Sequence, residues 1–118
     1  MTELIAMLTT GKGSWSHVNS IIKDSGFDRI FLLTNDFGKE KFQPDEKTEL
    51  IVLDLNKPVE ELAKDIVDSL KDKISGQEIG LNFISGNGIE HMALMSAVLK
   101  LGVGFRLVAL TKQGVEEI

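Results

Sequence analysis

The chain contains no cysteine among its 118 residues. That absence removes disulfide frameworks, thiolate zinc sites and thiol nucleophiles together. No stretch approaches the roughly 20 consecutive apolar residues that a membrane-spanning helix needs. The amino terminus also lacks the basic-then-apolar build of a secretory signal, so the expected compartment is the cytoplasm, with no membrane partner. An excess of positive charge is missing as well, the net charge being −5. Neutralising many phosphates takes clustered Lys and Arg, so duplex DNA is not an expected partner. A small phosphate-bearing ligand stays open, because backbone N–H groups and helix amino termini hold phosphate without adding to the formal charge.

What is present is 42 % apolar residues, enough for one hydrophobic core in a chain of single-domain size. Residues 1–118 are accordingly read as one domain. Residues 3–8 (ELIAML) form an apolar run ending in Thr9-Thr10-Gly11-Lys12-Gly13-Ser14, the pattern of a buried strand entering a loop. Val18, Ile21 and Ile22 follow at helical spacing, with Ser14 or Ser16 as N-cap and Gly26 at the end. A second strand is expected over 29–33 (RIFLL), ending in Thr34-Asn35-Asp36. Residues 37–47 mix a glycine, a proline and charges and predict a loop, with at most a short helical turn around 38–42.

A third strand is expected over 50–55 (LIVLDL), after which Asn56-Lys57-Pro58 supplies a capping residue and an early-helix proline. Leu62, Ala63, Ile66, Val67, Leu70 and Ile74 then recur at threes and fours, as in an amphipathic helix lying on a sheet. A fourth strand over 79–84 (IGLNFI) runs into Ser85-Gly86-Asn87-Gly88 and a helix over 89–101. That helix is apolar on nearly all sides, so it is expected to pack against the sheet and against something else. A fifth strand over 103–110 and a short sixth segment over 115–118 complete the chain. Strands alternating with helices predict an α/β fold: a Rossmann-like three-layer sandwich with a mainly parallel sheet of five or six strands and helices on both faces. Ligands in such sheets bind at the carboxyl ends of the strands, which directs attention to residues 9–16, 34–36, 54–56, 85–91 and 111–112.

In the first of these loops a Walker A phosphate loop is excluded, since Ala6 and Gly13 stand where that motif needs Gly and Ser/Thr. Gly11-x-Gly13-x-x-Ser16 is closer to a dinucleotide fingerprint, with Asn35-Asp36 near the place of a ribose-binding acid. A tight βα turn explains the two glycines equally well. The loop 82–92 is more informative. Gly86 and Gly88 let a ligand approach the backbone, Ser85 and Asn87 add polar side chains, and the following helix offers unpaired N–H groups to an anion.

These two loops resemble those of the CRISPR-associated Rossmann-fold (CARF) sensor domains. The first is Leu8-Thr9-Thr10-Gly11 with Ser14. The second is Asn82-x-x-Ser85-Gly86-Asn87-Gly88, followed by Met92-Ala93-Leu94-Met95, and the resemblance spans nearly the whole chain. It implies a homodimer that binds a cyclic oligoadenylate, or a related small nucleotide, across a two-fold axis between paired ligand loops. Some stand-alone members of this kind are ring nucleases, which cleave the messenger without a metal or other cofactor when the ribose 2′-hydroxyl attacks the adjacent phosphate.

The residues that match the family loops are Thr10, Gly11, Ser14, Ser85, Gly86 and Asn87, and with the neighbouring loop residues the candidate ligand-binding set is Thr9, Thr10, Gly11, Gly13, Trp15, Asn35, Ser85, Gly86, Asn87 and Gly88. Ser14, Lys12 and His91 are the catalytic candidates should the chain cleave. The family's basic residue in the second loop has no counterpart, as Ile89, Glu90 and His91 stand there. Lys12 is the available substitute, and Glu90 would repel a phosphate unless it faced solvent or paired across the dimer.

His17 and His91 are an acid–base pair if both loops meet over the ligand. Otherwise His17 is a partly exposed polar residue on the first turn of its helix. No metal site is expected, because His17, His91, Asp36 and Glu90 lack ligand spacing. Trp15 stacks on a base, plugs a dimer seam, or forms a local lid over the first helix. Three functions stay open: a sensor that binds the cyclic nucleotide, a metal-independent ring nuclease, and a ligand-free dimeric interaction protein.

Overall fold

The computed structural model describes residues 2–11, 13–24 and 26–118. Strand β1 (Glu3–Met7) is buried along its whole length. An apolar run of this kind demands a central strand with both faces covered. Around it β2 (Arg29–Thr34), β3 (Thr48–Val52), β4 (Glu78–Asn82) and β5 (Gly104–Thr111) are parallel, and β6 (Gly114–Glu117) returns antiparallel. The order is β3-β2-β1-β4-β5-β6, that of Rossmann-like sheets. The expected α/β layout is borne out.

Alternation along β1 sorts the core into two layers. Leu4, Ala6 and Leu8 meet Val18, Ile21 and Ile22 of α1 (Ser14–Asp24) on one face. Ile5 and Met7 meet Leu62, Ile66 and Leu70 of α3 (Val59–Leu70) and Ala93, Leu94, Ala97 and Val98 of α4 (Gly88–Leu101) on the other. Both sets are fully buried. A one-residue slip of β1 would swap every side chain between two differently shaped layers, and this fixes the register in which Ala6 lies beside Leu32 and Asn82.

Three local expectations are corrected. Where a loop with at most a short helical turn around 38–42 was expected after β2, a six-residue helix α2 (Asp36–Lys41) forms. Asn35 caps it, its Oδ1 accepting the Gly38 N–H at 2.9 Å. The helix is short enough to hide in the pattern because it packs through Gly38 and not through an apolar stripe. Strand β3 begins at Thr48 and ends at Val52, so Leu53–Leu55 lie beyond it. Leu53 stays buried and its N–H still donates to Thr34 O at 2.8 Å. Nor does Asn56 cap α3: the N-cap is Pro58, without a side-chain bond, and the Asn56 N–H instead donates to Asp54 Oδ1 at 3.0 Å.

The outward side of α4 is exposed at Ile89, Met92 and Leu99, so nothing within the described chain covers the remainder of this apolar helix. Among the described residues no helix is long and apolar enough to cross a membrane.

The contact between α2 and β2 is steric. A Cβ on Gly38 would lie 1.8 Å from Thr34 Oγ1, which is held by a 2.6 Å bond to Leu8 O. Gly38→Ala is therefore expected to lower unfolding free energy by about 1–3 kcal/mol, the usual cost of overpacking. In urea melts the Thr34→Ala/Gly38→Ala double variant should lose less than the sum of the two single variants, because removing Oγ1 makes room for the methyl group.

Candidate functional site

The chain leaves β1 toward α1 on one face and leaves β4 toward α4 on the other, although the two strands are neighbours. Such a divergence opens a crevice at the strand ends, the usual ligand position in open α/β sheets. Here the crevice floor is built from hydrogen bonds between the loops. The Ser85 hydroxyl, fully buried, accepts the Thr9 N–H at 2.8 Å and donates to Thr10 O at 2.9 Å. The Gly86 N–H donates to the same carbonyl at 2.7 Å. The two loops thus form one platform.

Glu90 completes it. The Thr9 hydroxyl donates to Glu90 Oε1 at 2.6 Å, and that oxygen also accepts the Asn87 N–H at 3.3 Å. In return Asn87 Oδ1 accepts the Glu90 N–H at 2.9 Å, which makes a reciprocal capping box at the start of α4. Glu90 is 4 % exposed. It neither faces solvent nor waits for a partner across a dimer, the two alternatives its sequence position suggested. Its carboxylate is turned inward onto two donors, the Thr9 hydroxyl and the Asn87 N–H, and the N–H groups of Gly88 and Ile89 at the amino end of α4 have no partner among the described residues.

Gly86 cannot be replaced in this arrangement. Its φ is +108°, and a Cβ there would meet Glu90 Oε1 at 2.7 Å and Met7 Cγ at 3.0 Å.

The remaining candidates divide between presented and internal groups. Thr10, Gly11, Gly13, Asn87 and Gly88 are exposed on the rim. Ser14 is buried, its hydroxyl donating to Gly11 O at 2.7 Å, so it shapes the first loop from within. Lys12 lies outside the described residues. Asn35 is committed to the α2 cap. Trp15 is half-buried between α1 and α2: its Nε1–H donates to Thr9 O at 2.9 Å and its ring meets Phe37 and Phe42 edge-on, both at 6.1 Å. That placement ties the start of α1 to α2 and the residue after it. His91 packs its ring 5.1 Å from Phe83 and donates from Nε2 to Ser85 O at 2.8 Å, so its proton sits on the platform side.

The histidines are not brought together. His17 lies on the α1 face, where its Nε2 accepts from Asn82 Nδ2 and from the Leu110 N–H, each at 3.2 Å. His91 lies on the α4 face beside Phe83, whose neighbours belong to the other core layer. The sheet separates them, which removes the acid–base pair.

Asn82, not singled out from the sequence as a site residue, proves to be a hub. Its amide also donates to Val108 O at 2.8 Å and its Oδ1 accepts the Ile84 N–H at 3.2 Å. A polar residue inside an otherwise apolar strand was the available signal. The capping box was legible too, since Asn87 and Glu90 have its three-residue spacing.

Two outcomes follow from these bonds. Ser85→Ala leaves the buried Thr9 N–H without its acceptor, and is expected to cost about 1–3 kcal/mol in denaturant melts. Burial lowers the His17 pKa from 6.5, and a protonated Nε2 would face two donors. The neutral ring is thus the folded form: its contribution is whole above pH 6.5 and declines as pH falls through that value toward the depressed one. Chemical denaturation between pH 8 and pH 5, run on the wild type and on His17→Gln, should show a shallower decline for the variant.

No protein-family model matches this chain, and no curated protein matches it either.

Proposed function

We propose that the chain is a CARF-like sensor module, binding a cyclic oligoadenylate on the platform formed by the first and fourth βα loops of a homodimer. The observation that carries this reading is that one helix supplies both parts. At its amino end α4 offers two unpartnered N–H groups, Gly88 and Ile89, beside the exposed Thr10 and Gly11. Such an end attracts an anion through its donors and its dipole. The side chain of the same Ile89 begins the exposed stripe that continues through Met92 to Leu99. A second copy laid along that stripe would set two platforms side by side, and an apolar strip so placed is a natural seam between copies.

Binding is favoured over cleavage by the occupied side chains. The hydroxyl of Ser14 and the Nε2 proton of His91 are both spent on backbone carbonyls. Phosphate is held by backbone donors and helix ends, a recognition that needs no net positive charge.

The test is incubation with cyclic tetra- and hexa-adenylate in EDTA, followed by thermal melting and by chromatography of the nucleotide. A ligand at a hundred times its Kd should stabilise the fold by about 2.7 kcal/mol, with no new products. Linear products that persist in EDTA would replace the sensor with a ring nuclease. No shift with either ring would overturn both nucleotide readings and leave the dimeric interaction protein.

A further inference from the structure

A cavity lies on the β2–β3 side of the platform. Between the carboxyl ends of β2 and β3 lies a cleft of about 500 Å³, bordered by Asn35, Asp36, Phe37, Val52, Asp54 and Asn56. Its volume is in the range that holds small organic ligands. Phe37 is 59 % exposed on its rim, an uncommon position for a phenyl ring, and its edge-on contact with Trp15 fixes its orientation. Val52, also exposed, adds apolar surface. The residues that border the cleft include two carboxylates and no Lys, Arg or His. A phosphate is thereby repelled, whereas a ligand that donates hydrogen bonds from hydroxyl or amino groups is accepted. A flat face for an aromatic ring beside acceptors for hydroxyls is the chemistry of a ribonucleoside and not of its phosphate.

We propose that this cleft is a ribonucleoside subsite, with the base against the open face of Phe37 and ribose hydroxyl donated to the carboxylates of Asp36 and Asp54. The subsite rests on the reading above only in taking the ligand to be a nucleotide. The cleft and the platform are physically joined, because Trp15 touches Phe37 with its ring and holds Thr9 O with its Nε1–H. One nucleotide unit can therefore place its phosphate toward the first loop and its nucleoside in the cleft. In a cyclic oligoadenylate the 2′-hydroxyl is the one left free for the carboxylates. Trp15 is the sole tryptophan, so its fluorescence reports a change at Phe37 through their ring contact.

The experiment is calorimetric titration of the full chain with adenosine and with 2′-deoxyadenosine, read in parallel by Trp15 fluorescence. It is repeated on Phe37→Ala, Asp36→Asn and Asp54→Asn. Asp54→Asn keeps the Oδ1 that accepts the Asn56 N–H, so the local turn survives. Adenosine should bind and shift the fluorescence, and 2′-deoxyadenosine should bind about tenfold or more weakly, the value of one charge-assisted hydrogen bond. Each variant should weaken adenosine by a similar factor. Equal binding of the two nucleosides, indifference to the Asp variants, or no adenosine binding at millimolar concentration would overturn the subsite. Cyclic oligoadenylate binding untouched by Asp54→Asn would overturn it while leaving the sensor standing. Adenosine binding that responds to the variants, in a protein that ignores every cyclic oligoadenylate, would support the subsite and remove the sensor.

Discussion

One hydroxyl group holds together the part of the molecule where the sheet comes apart. Past the pair of Ala6 and Asn82 the ladder between β1 and β4 ends, because the chain must turn to α1 on one side and to α4 on the other. Ser85 bridges the gap by accepting from Thr9 N–H and donating to Thr10 O, doing with a side chain what a strand neighbour would do with its backbone. An unbridged crevice would leave buried backbone groups without partners, at a cost comparable to the bonds themselves. The left-handed backbone of Gly86, the inward Glu90 and the His91 bond to Ser85 O are all arranged around that bridge.

The consequence is a site whose side chains are largely committed to building it. Glu90, Thr9, Ser14 and His91 each bond within the two loops or their flanking helices, and what faces outward is backbone and small residues. Recognition by backbone is rigid, since its groups carry no rotamer freedom to lose on binding. The glutamate at the start of α4 is likewise drawn into the building of the site: two donors hold its carboxylate below the rim.

Much of this was written locally in the sequence. The apolar runs of β1, β2 and β4 name strands buried on both faces, and the threes and fours of α3 name its buried side. The parts that escaped depend on distant partners. That Glu90 is buried follows from Thr9, 81 residues away, and no local pattern announces it. α2 was legible only as a short turn, because its anchor is the fit of Gly38 against Thr34, a matter of shape and not of hydrophobic period. Strand β3 was displaced because Thr48 and Glu49 read as polar, while an edge strand bonded only to β2 tolerates them. The exposed side of α4, by contrast, was foreshadowed by a helix with more apolar residues than one sheet face can cover.

The central claim is that the two loops form a single platform as firm as the strands that carry them. Amide hydrogen exchange of Thr9 and Gly86 tests it most directly, since both N–H groups are donors across the crevice. Their exchange should require the same opening free energy as the amides at the centre of β1, that of global unfolding. Exchange at the rates of an exposed loop, with β1 still protected, would contradict it.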